Sequence, residues 1–76
     1  MEQQVIALLA EVFQIPAESI PADLALGRIP QWDSMGHMGL MMALDERFGV
    51  EVNADTIGAL TSLPAILAHL TEKPHA

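Results

Sequence analysis

Between Ile15 and Trp32 the chain combines two features that seldom occur together. Pro16, Pro21, Gly27 and Pro30 interrupt every regular helix or strand pattern. Yet the same stretch carries Ile15, Ile20, Leu24, Leu26, Ile29 and Trp32, and a solvated linker has no use for so many large apolar side chains. The stretch therefore reads as an ordered connection laid over helices and pinned by those residues. Connections of this length inside a compact domain are uncommon and often functional. Trp32, at its end, is expected to pack onto the core.

Helical patterns flank this connection on both sides. Glu2 to Gln14 predicts an amphipathic helix, with Val5, Leu8, Leu9, Val12 and Phe13 recurring at spacings of three and four and Pro16 as its stop. A second helix is predicted from about Ser34 to Phe48. Met38, Met41, Met42, Leu44 and Phe48 form its apolar face, and Gly49 can take the left-handed conformation that closes a helix. Val50-Glu51-Val52 is short and extended, and Asn53 is placed to cap a helical turn from Ala54 to about Ala59. The last helix runs from about Leu63 to Thr71, capped by Thr61 or Ser62, with Pro64 in its first turn and Ile66, Leu67 and Leu70 facing inward. The tail from Glu72 to Ala76 is expected to fray. No segment alternates like a paired strand. The predicted fold class is all-α, a small four-helix bundle of three main helices and one short one, with a long ordered loop between the first two.

Such a chain has little to stabilise it except its core. At 76 residues it is expected to form a single domain over 1–76, and without cysteine it has neither disulfides nor thiolate–metal sites. Ten acidic residues against three basic ones give a formal charge of −7. That balance argues against nucleic acid and anionic membranes as partners and favours basic protein surfaces, while also serving solubility. Met1-Glu2-Gln3-Gln4 shows no targeting pattern and no apolar run is long enough to span a bilayer, so the expectation is a soluble cytoplasmic protein, or one made in a cytoplasm-like compartment; a monomer is expected. His37, His69 and His75 have no metal-ligand spacing, and His37 is expected to be neutral and solvated. Gly36-His37-Met38-Gly39 matches a nucleic-acid clamp in form only, since no basic residue adjoins it. No phosphate-binding loop or dinucleotide fingerprint is present.

Chemistry is most plausible at Asp33-Ser34, where the loop meets the second helix. A helix N-terminus carries partial positive charge and free backbone N–H groups. A phosphate esterified to a serine there would be well placed, and the hydroxyl would be open to an incoming enzyme. Asp and Ser are also common N-caps, so either residue could simply cap the helix. Neither Gly36 nor His37, three residues after Asp33 and Ser34, is the Glu or Gln of a capping box. On the residues alone both readings stand.

The run from Trp32-Asp33-Ser34-Met35-Gly36-His37-Met38 through Ala43-Leu44-Asp45-Glu46-Arg47-Phe48-Gly49-Val50-Glu51-Val52 resembles the acyl carrier protein signature. In that family an Asp-Ser-Leu triplet opens the second helix, which closes on an acidic, Phe-Gly-Val-ending segment. The first-helix pattern, the long loop, the segment around Asn53-Ala54-Asp55 and the Leu60-Thr61-Ser62-Leu63 helix start fall where the family has them. The resemblance implies a 4′-phosphopantetheine arm, taken from coenzyme A and attached to Ser34 by a phosphodiester, with Asp33 as its motif neighbour. Acyl groups would ride on the arm as thioesters, so a chain with no thiol and no catalytic constellation could serve thioester chemistry without being an enzyme. The implied partners are a phosphopantetheinyl transferase and acyl-loading, condensing or acyl-transferring enzymes of fatty-acid, polyketide or related specialised biosynthesis. Met35, Asp45 and Glu46 would meet them.

The chain departs from the family pattern in places. Met35 stands for the usual Leu, a change of little volume. Gly36 and Gly39 are expected to loosen the start of the second helix or let a partner approach. Arg47 interrupts an acidic run. Met adapts to irregular space, so Met38, Met42 and Leu44 are candidates for an interior that admits an acyl chain, with ordinary core packing as the other reading. Two further functions stay open: an aminoacyl or peptidyl carrier, and an unmodified helical interaction module in which Ser34 only caps.

Overall fold

A computed structural model describes residues 2–72; the expectations for residues 73–76, including His75, lie outside that range. The helices are α1 (Glu2–Phe13), α2 (Ser34–Phe48), α3 (Ala54–Ala59) and α4 (Leu63–Glu72). No strand occurs among the described residues. The all-α bundle with one short helix is therefore what the chain forms.

Each boundary has a local cause. α1 closes one residue earlier than expected, at Phe13, because Gln14 turns left-handed at φ 57° and Ile15 N–H reaches back to the Ala10 carbonyl at 3.1 Å. Gly49 closes α2 at φ 70°, its N–H donating to the Asp45 carbonyl. Asn53 and Thr56 form a reciprocal capping box on α3: Thr56 N–H donates to Asn53 Oδ1 at 2.9 Å, and Asn53 N–H to Thr56 Oγ1 at 3.0 Å. At α4 the cap is Ser62, whose Oγ accepts from Ala65 N–H at 3.1 Å.

The core is built from α1, α2, α4 and the loop, with Ile57 of α3 half-buried against it. α1 contributes Val5, Leu8, Leu9 and Phe13; α2 contributes Leu40, Met41 and Leu44; Leu63, Ile66 and Leu70 come from α4. Leu60, just past α3, and Val50 complete the helical side. The loop adds Ile20, Leu24 and Trp32, all buried, with Ile15 and Ile29 half-buried against them and Leu26 exposed. These side chains pin the connection as its composition predicts. It also holds a 3-10 turn over Ala17–Ser19. Leu26 N–H donates to the Thr61 carbonyl and Leu63 N–H to the Leu24 carbonyl, both at 2.8 Å. This strap, centred on an isolated bridge between Ala25 and Ser62, fixes the loop before it delivers the chain to α2.

Candidate functional site

The start of α2 is decided by Asp33. Its backbone is extended, its Oδ1 accepts from Gly36 N–H at 2.8 Å, and its carbonyl accepts the first helical bond from His37 N–H at 2.8 Å. Asp33 is thus the N-cap, and Ser34 is the first helical residue. Of the two residues that could have capped the helix, the aspartate does so, and the serine is spared that role.

The chain has three serines, and their hydroxyls are used differently. Ser19 donates to the Pro16 carbonyl at 2.8 Å, and Ser62 caps α4. Ser34 is exposed, and no hydrogen bond engages its hydroxyl among the described residues. Ser34 and Met35 also stand in the first helical turn, where backbone N–H groups have no intrahelical acceptor. An exposed, unengaged hydroxyl therefore sits beside free N–H donors at the positive end of a 15-residue helix.

Gly36 has a role the sequence did not disclose. A Cβ on it would collide with the Gln31 carbonyl oxygen, so the loop backbone lies directly against the first turn of α2. The expectation that Gly36 loosens this end is corrected: it permits a close approach that fixes it. Gly39 has open space around its Cα.

Behind the serine lies a buried polar link. Trp32 is fully buried, as expected, with its ring centroid 5.3 Å from that of Phe13. His37, expected to be solvated, is only 4% exposed. Its Nδ1 accepts from the Trp32 indole N–H at 3.0 Å, and its Nε2 donates to the Ile57 carbonyl at 2.8 Å. A histidine with both nitrogens satisfied can be buried without an orphaned polar atom, which is the physical reason that expectation fails.

The four methionines of α2 divide between its two faces. The inward face is His37, Leu40, Met41 and Leu44, a spacing of three, one and three that follows the helical period. That arrangement turns Met38 and Met42 outward: they are 43% and 62% exposed, and Met35 is 85% exposed. The interior position expected for Met38 and Met42 is therefore corrected, while Leu44 is fully buried. Asp45 and Glu46 are exposed, but eleven and twelve residues beyond Ser34 they stand about 17 Å farther along the helix. Arg47 is tied to α1, its Nη2 donating to both carboxylate oxygens of Glu11 at 2.9 Å. Among the described residues no group of His, Cys, Asp or Glu is arranged to hold a metal ion, and no helix is long and apolar enough to cross a membrane.

A family model described as a phosphopantetheine attachment site matches residues 3–70. The chain belongs to that family. It is a phosphopantetheine carrier, its prosthetic group is 4′-phosphopantetheine, and its family role is to carry rather than to catalyse. Carriers of this kind meet a phosphopantetheinyl transferase and the enzymes of a biosynthetic pathway. No curated protein matches the carrier. Its residues fit the prosthetic group: an attachment site needs a reachable hydroxyl with room for a phosphodiester, and Ser34 offers both beside the helix-terminal N–H groups. When bound, the group supplies the thiol that the protein lacks.

Proposed function

We propose that residues 1–76 act as a single acyl carrier domain whose 4′-phosphopantetheine arm is attached at Ser34, serving fatty-acid, polyketide or related specialised biosynthesis. One observation carries the assignment. Of the three serines, Ser19 and Ser62 spend their hydroxyls on local backbone groups, whereas Ser34 is exposed and unengaged at the start of α2. Asp33 keeps it so by taking the cap, and the aspartate directly before the serine favours acyl over aminoacyl or peptidyl cargo.

In the attachment reaction the Ser34 oxygen forms a bond to the pyrophosphate phosphorus of coenzyme A that bears the pantetheine. The P–O bond to the other phosphorus breaks, adenosine 3′,5′-bisphosphate leaves, and the serine proton passes to a base on the transferase. This chain contributes the oxygen and its orientation. Free N–H groups of the first turn favour the phosphodiester that results.

Partner enzymes meet the outer side of α2 in this reading. Met35 adjoins the attachment point, and Asp45 and Glu46 offer negative charge farther along. The outward Met38 and Met42 belong to the same side, and Leu44 is the remaining candidate for contact with a sequestered acyl chain. Incubation with coenzyme A and a broad-specificity transferase, followed by intact mass measurement, tests the assignment. The native chain should gain one phosphopantetheine and Ser34→Ala none. An unchanged native mass, under conditions that modify a control carrier, refutes it and favours an interaction module.

A further inference from the structure

The buried imidazole of His37 has no part in the chemistry above. It lies three residues after Ser34 and is 4% exposed, yet its two nitrogens are bonded to two other parts of the fold. Nδ1 accepts from the Trp32 indole N–H at 3.0 Å, and a nitrogen that accepts carries no proton. Nε2 stands 2.8 Å from the Ile57 carbonyl; a carbonyl only accepts, so Nε2 is the protonated nitrogen. Together the two bonds select a single tautomer.

Each bond meets a need that no neighbouring backbone group fills. Ile57 is in the last turn of the six-residue α3, where backbone carbonyls have no intrahelical donor. An imidazole N–H from α2 provides one. Trp32 is fully buried between Phe13 of α1 and the imidazole, at centroid distances of 5.3 and 6.1 Å, and its indole N–H has an acceptor there. One side chain thus joins the end of the loop, and through Trp32 α1, and also α3 to the turn that begins at Ser34. A leucine would fill the volume while stranding a buried N–H and leaving a carbonyl without its donor.

We propose that His37 is a positioning residue for the transfer of phosphopantetheine to Ser34. Its Nε2–H tautomer, bonded to Trp32 and Ile57, fixes the loop–helix junction from which the serine hydroxyl is presented. It works through those two residues and not on the reacting oxygen. A junction that samples several orientations loses productive encounters with the transferase even when the helices stay formed. This proposal rests on Ser34 being the attachment residue.

Transferase kinetics on the full chain, read by intact mass, test it beside circular dichroism. Modification of the native chain, absent in Ser34→Ala, is scored first; its failure sinks the Ser34 assignment and this proposal together. With the native chain modified, the variants decide on His37 alone. His37→Leu should stay helical and lose about tenfold in kcat/KM, and His37→Gln, whose amide can accept from the indole and donate to Ile57, should come back to within about threefold. A His37→Leu chain modified at native efficiency, or a His37→Gln chain as slow as the leucine variant, overturns the proposal. Should His37→Leu fail to fold, the glutamine variant still decides, since a tenfold loss there is contrary to it. Long-range proton–nitrogen NMR of the native imidazole is an independent check: the Nε2–H tautomer is required, and the Nδ1–H tautomer overturns the proposal.

Discussion

Asp33, Ser34 and Gly36 divide the work at the head of α2. The aspartate satisfies a backbone donor, the glycine admits the Gln31 carbonyl, and the serine is left with a free hydroxyl. Gly36→Ala should therefore destabilise the chain by about 1–3 kcal/mol, because the obstacle is backbone and cannot swing aside; a fall in the urea midpoint reads it. Gln14→Gly should act in the opposite sense. Its left-handed φ of 57° costs a non-glycine residue about 1 kcal/mol, so the glycine variant should melt at a higher temperature in a thermal scan. The special place of Asp33-Ser34 was legible in the sequence, because helix starts have a residue signature. The close approach at Gly36 was not, since it depends on where the backbone five residues earlier passes. Gln14 was equally hidden: nothing in a glutamine announces a left-handed turn.

α3 shows how an element too short to stand alone is held. Six residues are far below the length at which an isolated helix is stable, so its position comes from the Asn53–Thr56 box, the Thr56 hydroxyl donating to the Glu51 carbonyl at 2.7 Å, and the buried Leu60. Asn53→Ala should cost about 1 kcal/mol and speed amide hydrogen exchange in Ala54–Ala59 before other helices respond. The sequence disclosed this cap, because Asn before a short helical run has a direct physical meaning. It misled about the inward face of α2. Periodicity rules count histidine as polar, so the true stripe of His37, Leu40, Met41 and Leu44 was passed over for one containing Met38 and Met42. Apolar residues on nearly every side of α2 leave the hydrophobic pattern without a unique phase, and a partnered histidine settles it.

At the scale of the molecule, charge and connectivity set what can approach. Arg47 is half-exposed and bonded to Glu11, with side chains 54% and 63% exposed, an arrangement worth at most about 1 kcal/mol. It does, however, occupy a positive charge that would otherwise interrupt the acidic side of α2. With a net charge of −7, association with a basic transferase should weaken as salt rises, seen as a KM that increases with ionic strength while kcat holds. The acidic balance was plain from composition, and so was the pinned loop. The strap between the loop and the start of α4 was not, because backbone pairing between Leu24–Leu26 and Thr61–Leu63 leaves no mark on side-chain identity.

The arm is assigned to one oxygen among three serine hydroxyls. Peptide-level mass spectrometry of the chain, after reaction with coenzyme A and a transferase, reads it directly. Phosphopantetheine on the peptide carrying Ser34, with those carrying Ser19 and Ser62 unmodified, is the predicted result; the arm on any other residue would contradict it.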